Sequence, residues 1–584
     1  MNLMSGCVKL KMCKLRFLNQ ISIFRILEQY NKYMIQNKLI HSIKESIQNN
    51  WESPAFTNYQ KDSLTFKEVA QQIHWLHILY KEMGIKKGDK IALIGRNLNN
   101  WAVTYLATVT YGATIVPILP DFNSGDIHHI INHSEASLLF STENIFNKID
   151  DSKIKKIKGI LSLNDFSILC TSCDKLEKAV KVSHEKSSQN TLKKDELNYA
   201  DPKENEIAVL SYTSGTSGFS KGVMLTYRCL HSNVQIGFDH IDLRPQDKVV
   251  SFLPLAHVFG CMFEFLTEFC CGCHVIFLSR VPTPQLITKA FQEVKPRLIC
   301  LVPLIMEKIY KKRILPALES RRVKLMLKVP ILEKKVYKKI KNTLVETFGG
   351  QFIEVIIGGA ALSKEVEDFL KKIDFPFTVG YGMTECGPLI SYSPSEQFRA
   401  HSCGHVVDRM QVRIDSEDPL NIVGEIQVKG DNVMTGYYKN SDATSEAITE
   451  DGWLKTGDLG VVDQDDIIYI KGRSKNMLLG PSGQNIYPEE LEARLNNLPF
   501  IQESIITDDK DHKLIALVYP DYEVCDAEGL TKEEIQEAFE SDRKILNKDL
   551  PSYMNVSRII LFPEEFEKTP KRNIKRFLYT EMYH

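Results

Sequence analysis

One segment determines how the rest of the chain is interpreted: Leu210-Ser-Tyr-Thr-Ser-Gly-Thr-Ser-Gly-Phe-Ser-Lys-Gly-Val-Met-Leu-Thr226. It continues the apolar run Ile207-Ala-Val-Leu210, a pattern typical of a buried strand. Glycines at 215, 218 and 222 allow positive φ, and successive backbone N–H groups in such a loop form a concave anion site. Four hydroxyls and one ammonium add to these backbone donors: Thr213, Ser214, Thr216, Ser217 and Lys221. The segment therefore predicts a loop that binds a polyphosphate.

Two other interpretations fit this segment less well. A flexible Ser/Gly linker needs neither a lysine nor a flanking strand. A Walker loop ends in Gly-Lys-Ser/Thr, whereas Lys221 follows Ser220 and precedes Gly222. The segment instead resembles the phosphate loop of the adenylate-forming superfamily, which includes acyl-CoA synthetases, luciferases and peptide-synthetase adenylation domains. The usual form has Thr where Ser217 stands and Pro where Ser220 stands.

The resemblance implies roles for the residues of this loop. Lys221 is expected to be catalytic, and Thr216 is expected to contribute to a Mg²⁺ site. The residues expected to bind ATP and AMP are Thr213, Ser214, Gly215, Thr216, Ser217 and Gly218.

Composition excludes several classes of protein. The chain has 584 residues, which predicts about three or four domains or subdomains. It is 43% hydrophobic and 25% charged, as in ordinary soluble globular proteins. Its 73 basic and 74 acidic residues leave a net charge of −1, which gives no electrostatic argument for a nucleic-acid partner. The 13 cysteines lack paired metal-ligand spacing and fit a reducing, cytoplasmic compartment; Cys270-Cys-Gly-Cys273 predicts core packing rather than a zinc site.

No segment predicts a transmembrane helix or a signal peptide. The longest apolar stretch, Val258 to Leu278, contains Glu264 and Glu268 and predicts a core helix followed by a strand. Residues 1–33 are basic with interrupted apolar residues, and two interpretations stay open: a poorly ordered N-terminal extension, or an upstream start that is not used biologically.

The segments before the phosphate loop predict a parallel sheet. Thr65 and Glu68 have the spacing of a capping box at a helix start. A short buried strand around Ile91, a helix from Asn97 to Tyr111 and a strand at 112–117 then make one βαβ unit. Residues 141–200, rich in Lys, Asp and Ser, predict an irregular surface region.

Three later motifs resemble further signatures of the superfamily. In Ser251-Phe-Leu-Pro-Leu-Ala-His257, the histidine follows a proline-broken strand end, where ligands bind in open parallel sheets. The resemblance places His257 beside the substrate carboxylate and gives it a catalytic role. The glycine turn after Phe352-Ile-Glu-Val-Ile-Ile357 implies that Gly359 and Ala360 lie beside adenine.

The third of these motifs is Gly380-Tyr-Gly-Met-Thr-Glu385, which supplies an aromatic ring, a hydroxyl and a carboxylate. These groups suit a base, a phosphate and Mg²⁺. By resemblance, Tyr381 meets the adenine, Thr384 meets the α-phosphate and Glu385 binds the metal, the last two as catalytic residues. Gly382 is expected among the residues that bind ATP and AMP.

Residues beyond 420 resemble the rest of the superfamily pattern. Val423-Gly-Glu-Ile-Gln-Val-Lys-Gly430 and Met434-Thr-Gly-Tyr-Tyr438 resemble its small β subdomain. Asp458 and Arg473 are expected at the ribose, and Lys475 at the hinge. Gly480-Pro-Ser-Gly-Gln-Asn-Ile-Tyr-Pro488 resembles the loop presented in the second half-reaction, with Pro488 suited to a first helical turn.

The last motif departs from the superfamily pattern. The usual form is Thr-Pro-x-x-Lys-Ile-x-Arg, with a catalytic lysine, but this chain has Thr569-Pro-Lys-Arg-Asn573-Ile-Lys-Arg576. Lys571 and Lys575 are candidates to replace the missing charge, because alternate residues of an extended loop point the same way. Loss of such a donor commonly costs on the order of 10²–10³ in rate.

Residues 308–341 form a basic, amphipathic block. Two interpretations fit it: a solvated helical face, or a surface for peripheral contact with an anionic membrane, in a bacterium the inner face.

Together these observations predict an α/β fold. It has a large N-terminal domain (34–470) of parallel βαβ subdomains plus a small β subdomain, a hinge (471–475) and a small mobile α+β C-terminal domain (476–584). The resemblance implies an acid–thiol ligase similar to long-chain fatty acid–CoA ligases, with ATP, CoA and Mg²⁺. Two alternatives stay open: transfer to an acyl carrier protein, and a weakened enzyme that binds nucleotide, for which Asn573 argues.

Overall fold

The computed structural model describes residues 38–170, 174–189, 192–213, 220–479, 484–510, 513–548, 550–569, 574–580 and 582–583. The predicted extension 1–33 lies outside these residues. The fold is mixed α/β, as predicted.

The strands are β1 (Pro54–Asn58), β2 (Ser63–Thr65), β3 (Lys90–Ile94), β4 (Thr114–Ile118), β5 (Leu138–Ser141), β6 (Ile160–Ser162), β7 (Ile207–Thr213), β8 (Lys221–Thr226), β9 (Lys248–Ser251), β10 (His274–Phe277), β11 (Leu298–Leu301), β12 (Glu354–Ile357), β13 (Phe377–Val379), β14 (Tyr381–Gly382), β15 (Leu389–Tyr392), β16 (His405–Val406), β17 (Met410–Asp415), β18 (Gly424–Gly430), β19 (Leu454–Val462), β20 (Ile468–Arg473), β21 (Leu478–Leu479), β22 (Asn485–Ile486), β23 (Ile501–Asp508), β24 (Leu514–Pro520) and β25 (Arg558–Leu561).

The α-helices are Leu39–Asn49, Phe66–Met83, Asn99–Tyr111, Ser124–Ser134, Glu143–Phe146, Asp174–Gln189, Tyr227–His240, Val258–Cys261, Thr267–Cys270, Pro284–Val294, Pro303–Ile309, Leu315–Glu319, Arg321–Leu327, Pro330–Thr347, Lys364–Lys372, Ser441–Ala447, Pro488–Leu495, Tyr522–Glu528, Lys532–Lys548 and Phe577–Thr580. Two π-helical segments, Met262–Leu266 and Tyr310–Ile314, are continuous with α-helices.

Two largely parallel sheets form the centre of the N-terminal part. The first has seven strands in the order β13-β12-β11-β9-β10-β1-β2, and only β1 and β2 pair antiparallel. The second has six strands in the order β6-β5-β3-β4-β7-β8, and only β7 and β8 pair antiparallel. Strands β4 and β5 are buried along their whole length, because helices cover both faces of a parallel sheet.

The predicted βαβ unit is confirmed. Strands β3 and β4 are parallel neighbours, with Lys90 opposite Thr114, and the helix Asn99–Tyr111 connects them. The capping box is also present, because the Thr65 side chain accepts the N–H of Glu68 and the Glu68 carboxylate accepts the N–H of Thr65. Such a cap stabilises a helix by about 1 kcal/mol.

Smaller antiparallel sheets follow. One consists of β14-β15-β16, and another, β17-β18-β19-β20, is the predicted small β subdomain. The C-terminal part has its own sheet, in which β24 pairs antiparallel with β23 and parallel with β25.

The apolar residues of the described chain fall into separate clusters. One core cluster contains buried residues from Leu39 to Ile468, whereas two others contain residues from Ile486 onward. The predicted hinge, 471–475, falls between them. The limits of the two domains stay predictions.

The stretch Val258–Leu278 is part of the core. It forms three consecutive helical segments and then β10, and Cys270, Cys271 and Cys273 are buried as free thiols. Among the described residues, no helix is both long and apolar enough to cross a membrane.

The region 141–200 differs from the prediction. Residues Asp174–Gln189 form a helix that buries Leu176, Ala179 and Ser183 and packs against the helix Phe66–Met83. Its exposed face is highly charged, which hid the helical period in the sequence.

Candidate active site

Several of the predicted site residues follow the carboxyl ends of parallel strands. Strand β9 ends six residues before His257, β12 ends at Ile357 just before Gly359, and β13 ends at Val379 just before Tyr381. Strands β11, β12 and β13 are direct neighbours, so their ends meet at one edge of the sheet. Ligands of open α/β sheets bind at this edge.

The turn after β12 requires glycine at its centre. Gly359 has φ of +88°, a conformation that other residues adopt only with strain. Gly359 and Ala360 are both exposed. Backbone amides are therefore accessible at the place where the adenine is expected.

Three residues predicted to contact the adenosine lie together. The Tyr381 hydroxyl donates a hydrogen bond of 2.7 Å to one carboxylate oxygen of Asp458. The other oxygen is 2.9 Å from Nε of Arg473. Asp458 and Arg473 are direct partners on β19 and β20, so sheet register fixes this pair.

Two opposing effects act on the pKa of Asp458. Burial raises the pKa of this carboxyl, whereas the charge of Arg473 and the hydrogen bond from Tyr381 lower it. The Asp458 side chain is 5% exposed and that of Arg473 is 64% exposed. Arg473 can therefore move toward a ligand, while Asp458 stays in place with acceptor oxygens that suit ribose hydroxyls.

A second cluster joins Glu385 to the phosphate loop through Tyr437. The Tyr437 hydroxyl donates to the Glu385 carboxylate at 2.9 Å, and the Lys221 ammonium lies 5.1 Å from the centre of the Tyr437 ring. Burial and the neighbouring Glu385 raise the pKa of Tyr437, so its hydroxyl stays a donor at neutral pH. The sequence motif 434–438 contains this tyrosine, but no role was predicted for it.

The donors present fit a hard cation. Glu385 is buried, and no lysine or arginine of the described residues forms a salt bridge with it. A carboxylate oxygen is a ligand that Mg²⁺ prefers. Glu385 would hold the ion, which would screen the charge of bound phosphates; the second predicted ligand, Thr216, lies outside the described residues.

The phosphate loop connects two antiparallel strands. Thr213, the last residue of β7, is the register partner of Lys221, the first residue of β8. The hairpin therefore returns the lysine to the end of the strand that leads into the loop. The remaining predicted ATP-binding residues, Ser214, Gly215, Thr216, Ser217 and Gly218, lie outside the described residues.

His257 caps the short helix Val258–Cys261. Its Nδ1 accepts the N–H of Phe259 at 3.3 Å, so the ring hydrogen of the neutral form lies on Nε2. The Phe259 ring packs on Gly358, where a Cβ would lie 3.2 Å from a ring carbon. This contact ties the histidine segment to the turn after β12.

Residues Thr384 and Gly382 complete the cluster around Glu385. Thr384 and Glu385 are buried in one short 3-10 turn after β14. Gly382 leaves no room for a Cβ, because the carbonyl of Pro388 occupies that position.

The hinge and the final motif lie on the C-terminal side. Lys475 is exposed in a short 3-10 turn, and the following Asn476 donates to Glu489 at 2.6 Å. The Lys575 ammonium forms a salt bridge of 3.1 Å with Glu567. Asn573 and Lys571 lie outside the described residues.

Comparison with known proteins identifies the family. Residues 43–438 match the model of the family described as AMP-binding enzyme. The chain is 26% identical to 4-coumarate-CoA ligase 1 of Narcissus pseudonarcissus, covering 89% of this chain and 88% of the relative. It is also 26% identical to the long-chain-fatty-acid–CoA ligase FadD15 of Mycobacterium bovis, covering 81% and 80%.

A solved structure confirms the fold. The anthranilate CoA ligase AuaEII in complex with anthranoyl-AMP superimposes with a TM-score of 0.75 at 17% identity, covering 94% of this chain and 97% of that one. With the family match over residues 43–438, the conclusion is that this chain belongs to the AMP-binding enzymes, an adenylate-forming family.

Proposed function

We propose that the protein is an AMP-forming acid–CoA ligase that activates a long-chain fatty acid. The observation that carries the proposal is the pairing of two clusters: Tyr381–Asp458–Arg473, suited to a ribose, and Glu385–Tyr437–Lys221, suited to phosphate and a cation. The residues Glu385, Tyr437 and Lys221 lie within the segment that matches the family, as does Tyr381, whereas Asp458 and Arg473 follow that segment.

The first reaction needs little covalent chemistry from the protein. A carboxylate oxygen of the acid attacks the α-phosphorus of ATP, and the bond to the bridging oxygen breaks to release pyrophosphate. The site has to hold the two anions together and balance their charge. Lys221 and Thr384 would contact phosphate oxygens, and His257 would face the carboxylate.

The second reaction transfers the acyl group. The CoA thiol loses its proton and attacks the carbonyl carbon of the acyl-adenylate, and the bond between that carbon and the AMP oxygen breaks. AMP leaves with the oxygen that came from the acid. The two steps require different groups around one carbonyl, which motion of the C-terminal domain about Lys475 would supply.

The relatives support the reaction more strongly than the choice of acid. The printed names of those with 25–27% identity include both 4-coumarate and long-chain fatty acid ligases. The long-chain assignment rests on those fatty acid ligases and on the resemblance of the sequence motifs.

A panel of acids tests both levels of the proposal. The purified protein is incubated with ATP, Mg²⁺, CoA and either palmitate, octanoate or 4-coumarate, and AMP and thioester are measured by mass spectrometry. We expect CoA-dependent AMP release with palmitoyl-CoA as the preferred product. Preferred formation of 4-coumaroyl-CoA would overturn the choice of acid. Absence of any thioester would overturn the proposed ligase activity.

One sequence feature favours a second candidate function, binding of nucleotide or acyl-adenylate with little turnover. Asn573 stands at the position of the catalytic lysine, and Lys575 is already paired with Glu567. The variant Asn573→Lys separates the two functions. A rise in adenylate formation of about 10²-fold or more would support the weakened enzyme, whereas little change would show that the native chain has an adequate donor.

A matched variant controls for added charge. Asn555→Lys introduces the same side chain elsewhere in the C-terminal domain and should leave the rate unchanged.

If acyl-adenylate accumulates with CoA present and is consumed only by a carrier protein, the acceptor is the phosphopantetheine of that carrier.

A further inference from the structure

A strongly basic surface lies on residues 321–339. The segment includes the helix Arg321–Leu327 and the first half of the helix Pro330–Thr347. Between 321 and 339 there are eight lysines and arginines and one acidic residue, although the whole chain has 73 basic and 74 acidic residues. We call this segment the basic–apolar surface.

Its basic side chains form no salt bridges within the part of the chain that the structure describes. Lys334, Lys335, Lys338 and Lys339 are exposed, and none forms a salt bridge with a carboxylate of the described residues. The single acidic residue, Glu333, pairs with Lys372 at 3.5 Å instead. The same absence of ion pairs within the described chain holds for Arg321, Arg322, Lys324 and Lys328.

Aliphatic side chains are exposed among these charges. Leu325 is 66% exposed, Val329 44% and Ile331 71%. Three of the large exposed hydrophobic residues of the described chain thus fall within seven positions. A partner that covers these side chains removes apolar area from water, which lowers the free energy of the complex.

Helical spacing places the two kinds of side chain on one side. Ile331 is three and four residues before Lys334 and Lys335, and seven before Lys338. The buried residues of that helix, Val336 and Leu344, face the core instead. Leu325 is likewise three and four residues after Arg322 and Arg321.

We propose that the basic–apolar surface docks on an anionic lipid bilayer. Lysines attract the lipid headgroups, and the interleaved aliphatic side chains enter the boundary between headgroups and acyl chains. The combination of positive charge and exposed aliphatic side chains favours a bilayer over an acidic protein or a nucleic acid. An acidic protein or a nucleic acid is bound through charge and does not require three exposed aliphatic side chains. This inference goes beyond the proposed function and does not depend on which acid is activated.

Vesicle co-sedimentation tests the inference. The full-length protein is mixed with vesicles of phosphatidylcholine and phosphatidylglycerol, or of phosphatidylcholine alone. We expect binding to the anionic vesicles only, with loss of binding as NaCl rises from about 0.1 M to about 1 M, which shortens the screening length from about 10 Å to about 3 Å. Equal binding to both vesicle types, or binding to neither, would overturn the inference.

Two sets of variants separate charge from insertion. The quadruple variant K334Q/K335Q/K338Q/K339Q should lower partitioning by about 100-fold or more. A matched quadruple variant, K155Q/K178Q/K181Q/K203Q, removes the same charge from exposed lysines elsewhere and should keep most of the partitioning onto vesicles. Equal losses in the two quadruple variants would show that net charge, not this surface, is responsible.

The aliphatic side chains distinguish a bilayer from other polyanions. The double variant L325N/I331N keeps every charge and should weaken vesicle binding about 10-fold or more while leaving retention on heparin unchanged. If vesicle binding is unaffected, the surface binds polyanions by charge alone and the bilayer assignment is wrong. Unchanged thermal unfolding and ligase rate in solution show that each variant is folded.

Discussion

The carboxylate of Asp458 is held from two sides. Tyr381 reaches it from the strand β14. Arg473 reaches it from β20, the neighbour of the strand β19 that carries Asp458. Tyr381, which is predicted to contact adenine, therefore has a second role, because its hydroxyl orients Asp458, the residue predicted to bind the ribose.

Removal of one hydroxyl tests this positioning role. In Tyr381→Phe the ring stays but Asp458 loses its donor, and a hydrogen bond to a charged group contributes about 1.5–3 kcal/mol. We expect the KM for ATP to rise about 10-fold with kcat little changed, measured by steady-state kinetics of AMP release. The control is Tyr392→Phe, which removes a buried hydroxyl that donates to Glu354 and not to Asp458. If the two variants have the same KM, Tyr381 acts through its ring alone.

At this scale the sequence supplied the motif residues but not their contacts. Asp458 and Tyr381 were predicted from separate motifs, and 77 positions separate them, so only the folded sheets bring them together. Tyr437 was missed as a functional residue, since a tyrosine in a β subdomain motif is more often core. Its hydrogen bond to Glu385 depends on the segment between β18 and the helix Ser441–Ala447, which forms a bridge to Val223 on β8.

The helical element around the π-helix Met262–Leu266 carries two buried carboxyls. Glu264 accepts the N–H groups of Phe252 and Leu253, whereas neither oxygen of Glu268 has a donor among the described residues. Burial raises the pKa of Glu268 to about 8, and it also raises the pKa of Glu264 well above its usual range. The folded protein therefore keeps a proton on Glu268 at pH values where the unfolded chain has released it.

Stability should consequently fall as pH rises. Between the ordinary glutamate pKa of 4.5 and about 8, the unfolded state binds fewer protons than the folded state, so the free energy of unfolding decreases with increasing pH. Glu268→Gln removes this contribution. We expect the difference in Tm between pH 5.5 and pH 8 to shrink by more than about 2 °C in calorimetry. The exposed Glu450→Gln should keep the full difference, and equal slopes in both variants would contradict the assignment.

Elements were predictable where their apolar pattern was strong. The strand–helix–strand unit from Lys90 to Ile118 has continuous buried strands and was read correctly. The helix Asp174–Gln189 was not, because it buries only one narrow stripe beneath many lysines and glutamates. The π-helical segments were equally invisible, since a single extra residue per turn leaves no clear signal in composition.

A partly buried ammonium connects the two parts of the molecule. Lys311 donates to the carbonyl oxygens of Asn496 and Ile501 of the C-terminal part, and burial lowers its pKa. Nearby, Asn497 donates to Ser363 at 2.6 Å. The neighbouring Lys312 forms only an exposed salt bridge of 3.1 Å with Glu523.

These two adjacent lysines make a matched pair for a test of domain docking. Lys311→Met removes charged hydrogen bonds and should increase trypsin cleavage in the predicted hinge, at Lys471 to Lys475, several-fold. Lys312→Met should change it little, because exposed ion pairs contribute about 0–1 kcal/mol. Equal cleavage rates for the two variants would show that Lys311 does not hold the C-terminal part in place.

At the scale of the whole chain, the sequence predicted the α/β class and the order in which the motifs follow one another along the chain. It could not predict which face of the N-terminal part receives the C-terminal part. Lys311 looked like one more lysine in a basic block, and its burial depends on a segment 185 positions away.

The measurement that tests acyl-adenylate chemistry most directly follows one oxygen atom. The acid is supplied with ¹⁸O in its carboxylate, together with ATP, Mg²⁺ and CoA, and the products are weighed by mass spectrometry. Attack of the carboxylate on the α-phosphorus, followed by thiol displacement, predicts one ¹⁸O in AMP and none in pyrophosphate. Unlabelled AMP, or label in orthophosphate released beside ADP, would contradict the proposed route.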